Sequence, residues 1–126
     1  MQLEKVDFVS VLTQDIARAK RFYGETLGLP IESEGEHDLE LTLGQVTLDV
    51  FDPSSVGQAF VPSPAGIAIR VPDVAAARAE LEEKGVEFEG DIVHTGVCDM
   101  AFFRDPDGNA LILHRRFAPF ADGRMP

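Results

Sequence analysis

The chain carries one pattern of residues twice. Residues 8–19 (FVSVLTQDIARA) and residues 66–77 (GIAIRVPDVAAA) each contain an apolar segment, a turn, an aspartate and an alanine-rich stretch with helical periodicity. Each copy then reaches a glycine, Gly28 or Gly85, at the place where a helix would end. A repeat of this length predicts one supersecondary unit used twice. Two similar half-sheets that face each other would form a cavity between them, and we expect a ligand to bind there.

The order of the predicted elements is strand, helix, strand, strand, strand in both copies. The predicted strands span residues 5–12, 29–34, 38–43 and 46–51 in the first copy and residues 66–71, 86–93, 97–104 and 109–115 in the second. Asp15 and Asp73 supply N-caps for the two helices. The first helix is expected to bury a stripe made of Ile16, Ala19, Tyr23 and Leu27. These elements predict an α+β fold of two βαβββ modules, with the helices on the outer faces of paired half-sheets.

The length of 126 residues suits one compact domain and is too short for two independent ones. We therefore expect a single domain over residues 1–126. Its predicted parts are module one at about 5–51, a linker at 52–64, module two at about 65–115 and a C-terminal tail at 116–126. The linker is assigned from its density of Pro, Ser and Gly.

The charge of the chain excludes some classes of partner. There are 11 basic and 22 acidic residues, which give a formal net charge of −11. Nucleic acids and anionic membranes are bound mainly through Lys and Arg, so we expect neither as a partner. No apolar run is long enough to span a membrane, and the N-terminus lacks a signal-peptide pattern. A single cysteine, Cys98, fits a reducing compartment and predicts a cytoplasmic protein.

Two short motifs identify a family that the chain resembles. Residues 22–29 (FYGETLGL) close the first helix, and residues 102–109 (FFRDPDGN) precede the last strand. Together with the doubled order of elements, they resemble the vicinal oxygen chelate superfamily, which contains glyoxalases, bleomycin- and fosfomycin-resistance proteins and extradiol dioxygenases. The resemblance covers residues 5–115. It implies the fold, with a cup between the half-sheets, more strongly than it implies a function, because members do unrelated chemistry on one scaffold.

The positions that hold a metal ion in the metal-dependent members are altered in this chain. The resemblance places the ligands near the start of the first strand of each half, usually His, and in the last strand of each half, usually Glu. Here these positions hold Phe8, Gly66, Asp49 and Ile112. One carboxylate is too few ligands for a Zn, Fe, Mn or Mg centre. The resemblance therefore implies neither a family-type metal centre nor a cofactor.

Six residues are the candidates for binding a ligand. They are expected to line a mainly apolar cup and are Phe8, Asp49, Phe51, Gly66, Ile112 and His114. Strand alternation adds one of Phe102 and Phe103. Asp49 is interpreted as a hydrogen-bond acceptor, a counter-ion or a general base, or else as a solvated carboxylate. His114 is either a general base or an exposed residue at the end of a strand.

Other polar residues are expected to be structural. His94, Cys98 and Asp99 are close in sequence, but their spacing matches no metal motif, and we interpret them as a strand and its preceding loop. His37 lies between two acidic residues in a predicted hairpin loop and is expected on the surface. Tyr23 belongs to the helix stripe and is expected in the core.

Three functions stay open from the sequence. The first is a metal-free small-molecule binding protein of the bleomycin-resistance kind, in which Asp49 favours a cationic ligand. The alternative is a lyase, isomerase or dioxygenase-like enzyme with a non-standard site that uses Asp49 and His114. The third is a structural or regulatory subunit with a vestigial cup. In each case the resemblance implies a homodimer, formed side by side or by exchange of modules.

Overall fold

A computed structural model describes all residues, 1–126, and divides the chain into two compact units. The first unit contains Met1–Pro64 together with Asp105–Asn109, and the second contains Ala65–Arg104 and Ala110–Pro126. The predicted linker at 52–64 thus lies inside the first unit, where Pro53–Val56 form a short 3-10 helix. No helix in the structure is long and apolar enough to cross a membrane.

The first unit is a four-stranded sheet with one helix on it. Its elements are β1 (Phe8–Leu12), α1 (Ile16–Lys20), a π-helical turn (Arg21–Thr26), β2 (Ile31–Glu34), β3 (Asp38–Leu43) and β4 (Val46–Phe51). The strands lie in the order β1-β4-β3-β2, with β1 and β4 parallel and the other pairs antiparallel. The prediction is confirmed for β3 and β4 at the residue level, whereas β1 begins at Phe8 rather than at residue 5.

The second unit repeats this arrangement. Its elements are β5 (Ile67–Arg70), α2 (Val74–Glu83), β6 (Phe88–His94), β7 (Cys98–Arg104) and β8 (Ala110–Arg116). The strands lie in the order β5-β8-β7-β6, and β5 and β8 are the parallel pair. The α+β fold of two βαβββ modules predicted from the repeat is therefore confirmed.

The helix of each unit covers the apolar face of its sheet. In the first unit the sheet buries Val11, Leu39, Leu41, Leu48 and Val50, and in the second it buries Ala101, Phe103, Leu111 and Leu113. These residues alternate with exposed or half-buried ones along each strand, as expected for a sheet with one covered face. The predicted alternation of β4 is confirmed.

The predicted stripe on the first helix needs one correction. Ala19 and Tyr23 are buried as expected, but Phe22 is buried too, while Ile16 and Leu27 are only half-buried. The cause is the π-helical turn, in which the Leu27 N–H donates to the carbonyl of Phe22, five residues earlier. The wider turn brings two adjacent aromatic rings to the covered side, with centroids 5.1 Å apart in an edge-to-face arrangement.

A buried polar network holds the β7–β8 turn in the first unit. The Tyr23 hydroxyl donates to Asp105 Oδ2 at 2.6 Å, and the Asn109 side chain donates to the same oxygen at 2.8 Å. Asp105 Oδ1 accepts the backbone N–H groups of Asp107 and Asn109. The two sequence motifs used for the resemblance therefore meet in one network. Its members satisfy each other, as buried polar groups must.

The next acidic residue of the turn strengthens the same attachment. Asp107 accepts from the Gln14 backbone N–H at 2.9 Å and from the Arg18 guanidinium at 2.7 Å. The side chain of Asp107 is only 1% exposed, so its charge is compensated inside the protein by Arg18. Asn109 also donates to the carbonyl of Leu12 at the end of β1.

Candidate functional site

The face of each sheet that its helix leaves uncovered, here called the open face, carries the candidate residues. In the first unit, strand alternation places on this face Phe8, Ser10, Leu12, Asp38, Glu40, Thr42, Thr47, Asp49 and Phe51. Phe8, Asp49 and Phe51 are thus where the sequence predicted them. The face is mostly polar and acidic, however, and not the mainly apolar surface that was expected. The reason is the alternation along β3, which buries Leu39 and Leu41 in the core and places Asp38, Glu40 and Thr42 on the open face.

Asp49 lies at the centre of the open face of the first unit. In register it is flanked by Ser10 on β1 and by Glu40 on β3. The Ser10 hydroxyl donates to Asp49 Oδ2 at 3.0 Å. Burial raises the pKa of Asp49, the hydrogen bond from Ser10 opposes this, and the nearby charge of Asp38 raises it further. Asp49 therefore takes up a proton more readily than a free aspartate, which suits a hydrogen-bonding or proton-accepting role.

Three carboxylates of this face are close enough to share a cation. Oxygen atoms of Asp38, Glu40 and Asp49 all lie within 4.8 Å of one another, and each residue is half-buried. An all-oxygen set of this kind suits hard cations such as Ca²⁺ or Mg²⁺. The sequence analysis missed Asp38 and Glu40. The alternation Asp-Leu-Glu-Leu-Thr-Leu at residues 38–43 was the signal that places them beside Asp49.

A fourth carboxylate on the same sheet is occupied by hydroxyl groups. Glu32 on β2 accepts from the side chains of Thr42 and Thr47, each at 2.9 Å. Its hydrogen bonds link three strands. Glu32 thus adds negative charge to the open face but has both of its oxygens engaged.

The open face of the second unit has the opposite character. Its central row consists of Ala68, Ile112 and Phe102, which pair in register across β5, β8 and β7. Phe102 is the member of the aromatic pair that lies on this face, since Phe103 is buried in the core. The central row of this face is apolar, whereas the next row in register contains Arg70 and His114. The sequence prediction left open which of the two phenylalanines faces outward, and the register decides it.

Gly66 and Ile112 fit each other closely. A Cβ atom on Gly66 would lie 2.6 Å from Ile112 Cδ1 and 2.8 Å from Ile112 Cγ1. The isoleucine side chain therefore occupies the space that a side chain at position 66 would need. At these two positions the metal-dependent members of the family that the chain resembles carry ligands.

The residues present do not fit a metal centre of that family. Gly66 has no side chain, Ile112 is apolar, and Phe8, which is 58% exposed, offers only a ring. Asp49 is the one possible ligand among the four positions, and it is already bonded to Ser10. A divalent transition metal needs several converging N, O or S ligands, and these four positions supply one.

His114 lies on the open face of the second unit, as the strand parity predicted. It is half-buried and pairs in register with Arg70 and Met100. Asp49 belongs to the first unit and His114 to the second. Their joint action in a site stays a prediction.

The polar residues expected to be structural have local partners. His94 Nδ1 lies 2.6 Å from Asp99 Oδ1, and Cys98 is buried with its sulfur 3.2 Å from the Thr95 hydroxyl. The side chain of His37 is half exposed, with Nδ1 3.6 Å from Asp52 Oδ2. These contacts are those of strand ends and loops.

Comparison with known proteins gives the same family as the motifs. The family model described as "Glyoxalase/Bleomycin resistance protein/Dioxygenase superfamily" matches residues 5–113. The chain is 31% identical to the "Uncharacterized protein YaeR" of Escherichia coli (strain K12), over 90% of this chain and 98% of that protein.

Solved structures agree with these matches. TnmS3, an antibiotic binding protein from Streptomyces sp. CB03234, is 31% identical, with a TM-score of 0.76 over 92% of this chain and 98% of its own. The lactoylglutathione lyase from Agrobacterium tumefaciens has a TM-score of 0.78 over 90% of this chain and 94% of its own. Its identity is 17%, so it shows a shared fold only.

Proposed function

Because this chain belongs to the glyoxalase/bleomycin resistance protein/dioxygenase superfamily, we propose that it is a small-molecule binding protein that works without a family-type metal ion. The observation that carries the proposal is the chemistry at Phe8, Gly66 and Ile112, which cannot coordinate a metal. The similarity to TnmS3, an antibiotic binding protein, supports binding rather than turnover. The residues proposed to contact the ligand are Phe8, Asp49, Phe51, Gly66, Ile112 and His114.

The open faces suggest the chemical class of the ligand. The first unit offers the carboxylates of Asp38, Glu40 and Asp49, which favour a positively charged group. The second offers the apolar row of Ala68, Ile112 and Phe102, which favours a ring system or another apolar body. We therefore propose a ligand with an apolar framework and a cationic group. The cup predicted between the half-sheets, the homodimer and the cytoplasmic location stay predictions.

A ligand screen with matched variants tests this function. A panel of aromatic antibiotics with and without amino groups is screened by thermal denaturation, and hits are titrated by calorimetry in the presence of EDTA. We expect cationic members to bind, and Asp49→Asn and Phe8→Ala to weaken binding about tenfold, roughly 1.4 kcal/mol. Asp91→Asn removes an exposed carboxylate of the second unit and is the charge control. Unchanged affinity in both first-unit variants would refute the assignment.

An enzymatic function is the second candidate, and one observation favours it. Burial raises the pKa of Asp49 above that of a free aspartate, which is the direction a general base needs. In that case, any turnover found for the protein should be lost in Asp49→Ala and in His114→Ala. Activity that survives both substitutions would end this alternative.

A further inference from the structure

The first unit contains a cavity that is separate from its open face. It has a volume of about 230 Å³ and lies where β1 and β4 end, at the residues that directly follow these parallel strands. Thr13 and Gln14 border it on the β1 side, and Asp52 borders it on the β4 side. Residues 52–64 were predicted to be a linker, with no ligand-binding role.

Asp52 is the one carboxylate among the residues that line this cavity. Its Oδ1 accepts from the Ser54 backbone N–H at 3.0 Å and from the Ser54 hydroxyl at 2.7 Å. Its Oδ2 lies 3.6 Å from His37 Nδ1, and the two form an ion pair when the imidazole is protonated. The hydrogen bonds from Ser54 hold the pKa of Asp52 below its usual value, so the group is a carboxylate at neutral pH.

The other lining residues add polar and apolar contacts but no positive charge. Gln14 and Gln58 contribute amides, and Phe60 contributes apolar surface, whereas the side chain of Pro53 is buried. Thr13 is not available, because its buried hydroxyl donates to Asp107. A cavity with one carboxylate and no Lys or Arg repels anions and favours a cation that donates hydrogen bonds.

The volume limits the ligand further. A cavity of about 230 Å³ is smaller than the roughly 300–1,000 Å³ of sites for drug-sized ligands. A compound with a single ring or a short chain is the size that fits. The half-buried ring of Phe60 can pack against such a body and attract its cationic end.

We propose that this cavity is a binding site for a small organic ammonium compound, with its ammonium group on the Asp52 carboxylate and its apolar part against Phe60. The site differs in place and in residues from the open face of the proposed function. It does not depend on that function.

Chemical-shift mapping on the full chain tests the site, with benzylammonium as the probe. We expect saturable ¹H–¹⁵N shifts at Gln14, Ser54 and Gln58, and none with benzyl alcohol, which has the same shape without the charge. Asp52→Asn should weaken binding at least tenfold. Asparagine still accepts the Ser54 N–H as an N-cap, so this variant is expected to fold. Glu36→Gln removes a neighbouring exposed carboxylate outside the cavity and should leave binding unchanged.

A second variant keeps the test decisive. Gln58→Lys changes an exposed residue and places a cation in the cavity, so it should abolish the shifts. Equal binding of benzyl alcohol, binding that survives Asp52→Asn, or the absence of saturation would overturn the site. Shifts centred on Ser10, Glu40 and Asp49 would also overturn it, because the amine would then bind the open face. The antibiotic screen is judged on Asp49 and Phe8, so either proposal can fail alone.

Discussion

The two modules use one strand register to present opposite surfaces. In the first unit, the central row of the open face is Ser10, Asp49 and Glu40, and all three side chains are polar. In the second unit, the row at the same place in the repeat is Ala68, Ile112 and Phe102, and all three are apolar. The strand order and the parallel pair are the same in both. The two units therefore share a fold and differ in the chemistry of the open face.

The two modules also differ in the turn that precedes the last strand of each, β4 or β8. In the first unit, Gly44 and Gln45 join β3 to β4 as an exposed two-residue connection. In the second half of the chain, Asp105–Asn109 join β7 to β8, and Asp105 and Asn109 of this longer segment are buried, with Tyr23 of the first unit as a polar partner.

The contrast shows which side chains define the fold and which are free to change. The core side of each strand keeps apolar residues in both modules, and a one-residue shift of register would expose all of them. The open side is under no such requirement. Differences between the modules on that side are therefore the place to look for function.

The largest effect is expected from disrupting the buried polar network of the β7–β8 turn, which has no counterpart in the β3–β4 turn. Asp105→Ala removes the acceptor of the Tyr23 hydroxyl, of the Asn109 side chain and of two backbone N–H groups. Buried donors without an acceptor are costly, and we expect a loss of about 3–5 kcal/mol in the free energy of unfolding. Urea denaturation followed by circular dichroism measures it.

The matched turn of the other module is the control for this change. Gln45 is exposed between β3 and β4, so Gln45→Ala should alter stability by less than about 0.5 kcal/mol. Similar losses for the two variants would show that the buried network contributes no more than an ordinary surface turn.

Much of the fold could be predicted from the sequence, and the reasons are local. The alternation of apolar and polar residues predicted β4 with Leu48 and Val50 buried. The capping residues Asp15 and Asp73 predicted where the two helices begin. The bond between Tyr23 and Asp105 joins residues 82 positions apart, which no local pattern encodes. The π-helical turn also departs from the 3.6-residue period on which the stripe was predicted.

Less of the candidate site could be predicted. Strand parity correctly placed Phe8, Asp49, Ile112 and His114 on open faces, because it needs only the register of each strand. The acidic character of the first face depends on β3, whose outward residues lie opposite β4 only after the sheet is assembled. The cavity at Asp52 depends on how a loop folds, and loops carry no periodic signal.

An intermediate effect is expected from adding a side chain where the apolar face has none. The Cβ of Gly66→Ala would lie within 2.8 Å of two Ile112 atoms, so the isoleucine must move or strain. Overpacking in a core costs more, but Gly66 is exposed and the half-buried end of Ile112 can move, so we expect a loss of about 1 kcal/mol. In Gly66→Ala/Ile112→Ala the clash is absent, and a double-mutant cycle by urea denaturation should give a coupling of at least about 0.5 kcal/mol. Additive losses would mean that the two positions do not compete for space.

The smallest effect is expected from neutralising Asp49 on the open face of the first unit, and its size depends on pH. Burial raises the folded-state pKa of Asp49 above the ordinary aspartate value of 3.8, so the folded protein holds this proton more tightly than the unfolded chain. As the pH rises above 3.8, ionisation of Asp49 therefore lowers the free energy of unfolding of the wild type. Asp49→Asn cannot ionise at this position and keeps that stability. The variant should be more stable than the wild type at pH 7, by less than about 1 kcal/mol because Asp49 is partly solvated. The difference should vanish at lower pH in unfolding curves.

The hydrogen bond from Ser10 provides the control for this prediction. It is the one cause that lowers the pKa of Asp49, so Ser10→Ala should move that pKa further upward in an NMR titration of the side-chain carboxyl carbon. The row Ala68, Ile112 and Phe102 has no titrating group, so Ala68→Ser should leave the pH dependence of stability unchanged. If Asp49→Asn is instead less stable at pH 7, the bond from Ser10 outweighs burial. Ionised Asp49 would then stabilise the fold, and the open faces of the two units would differ in polarity without differing in their effect on stability.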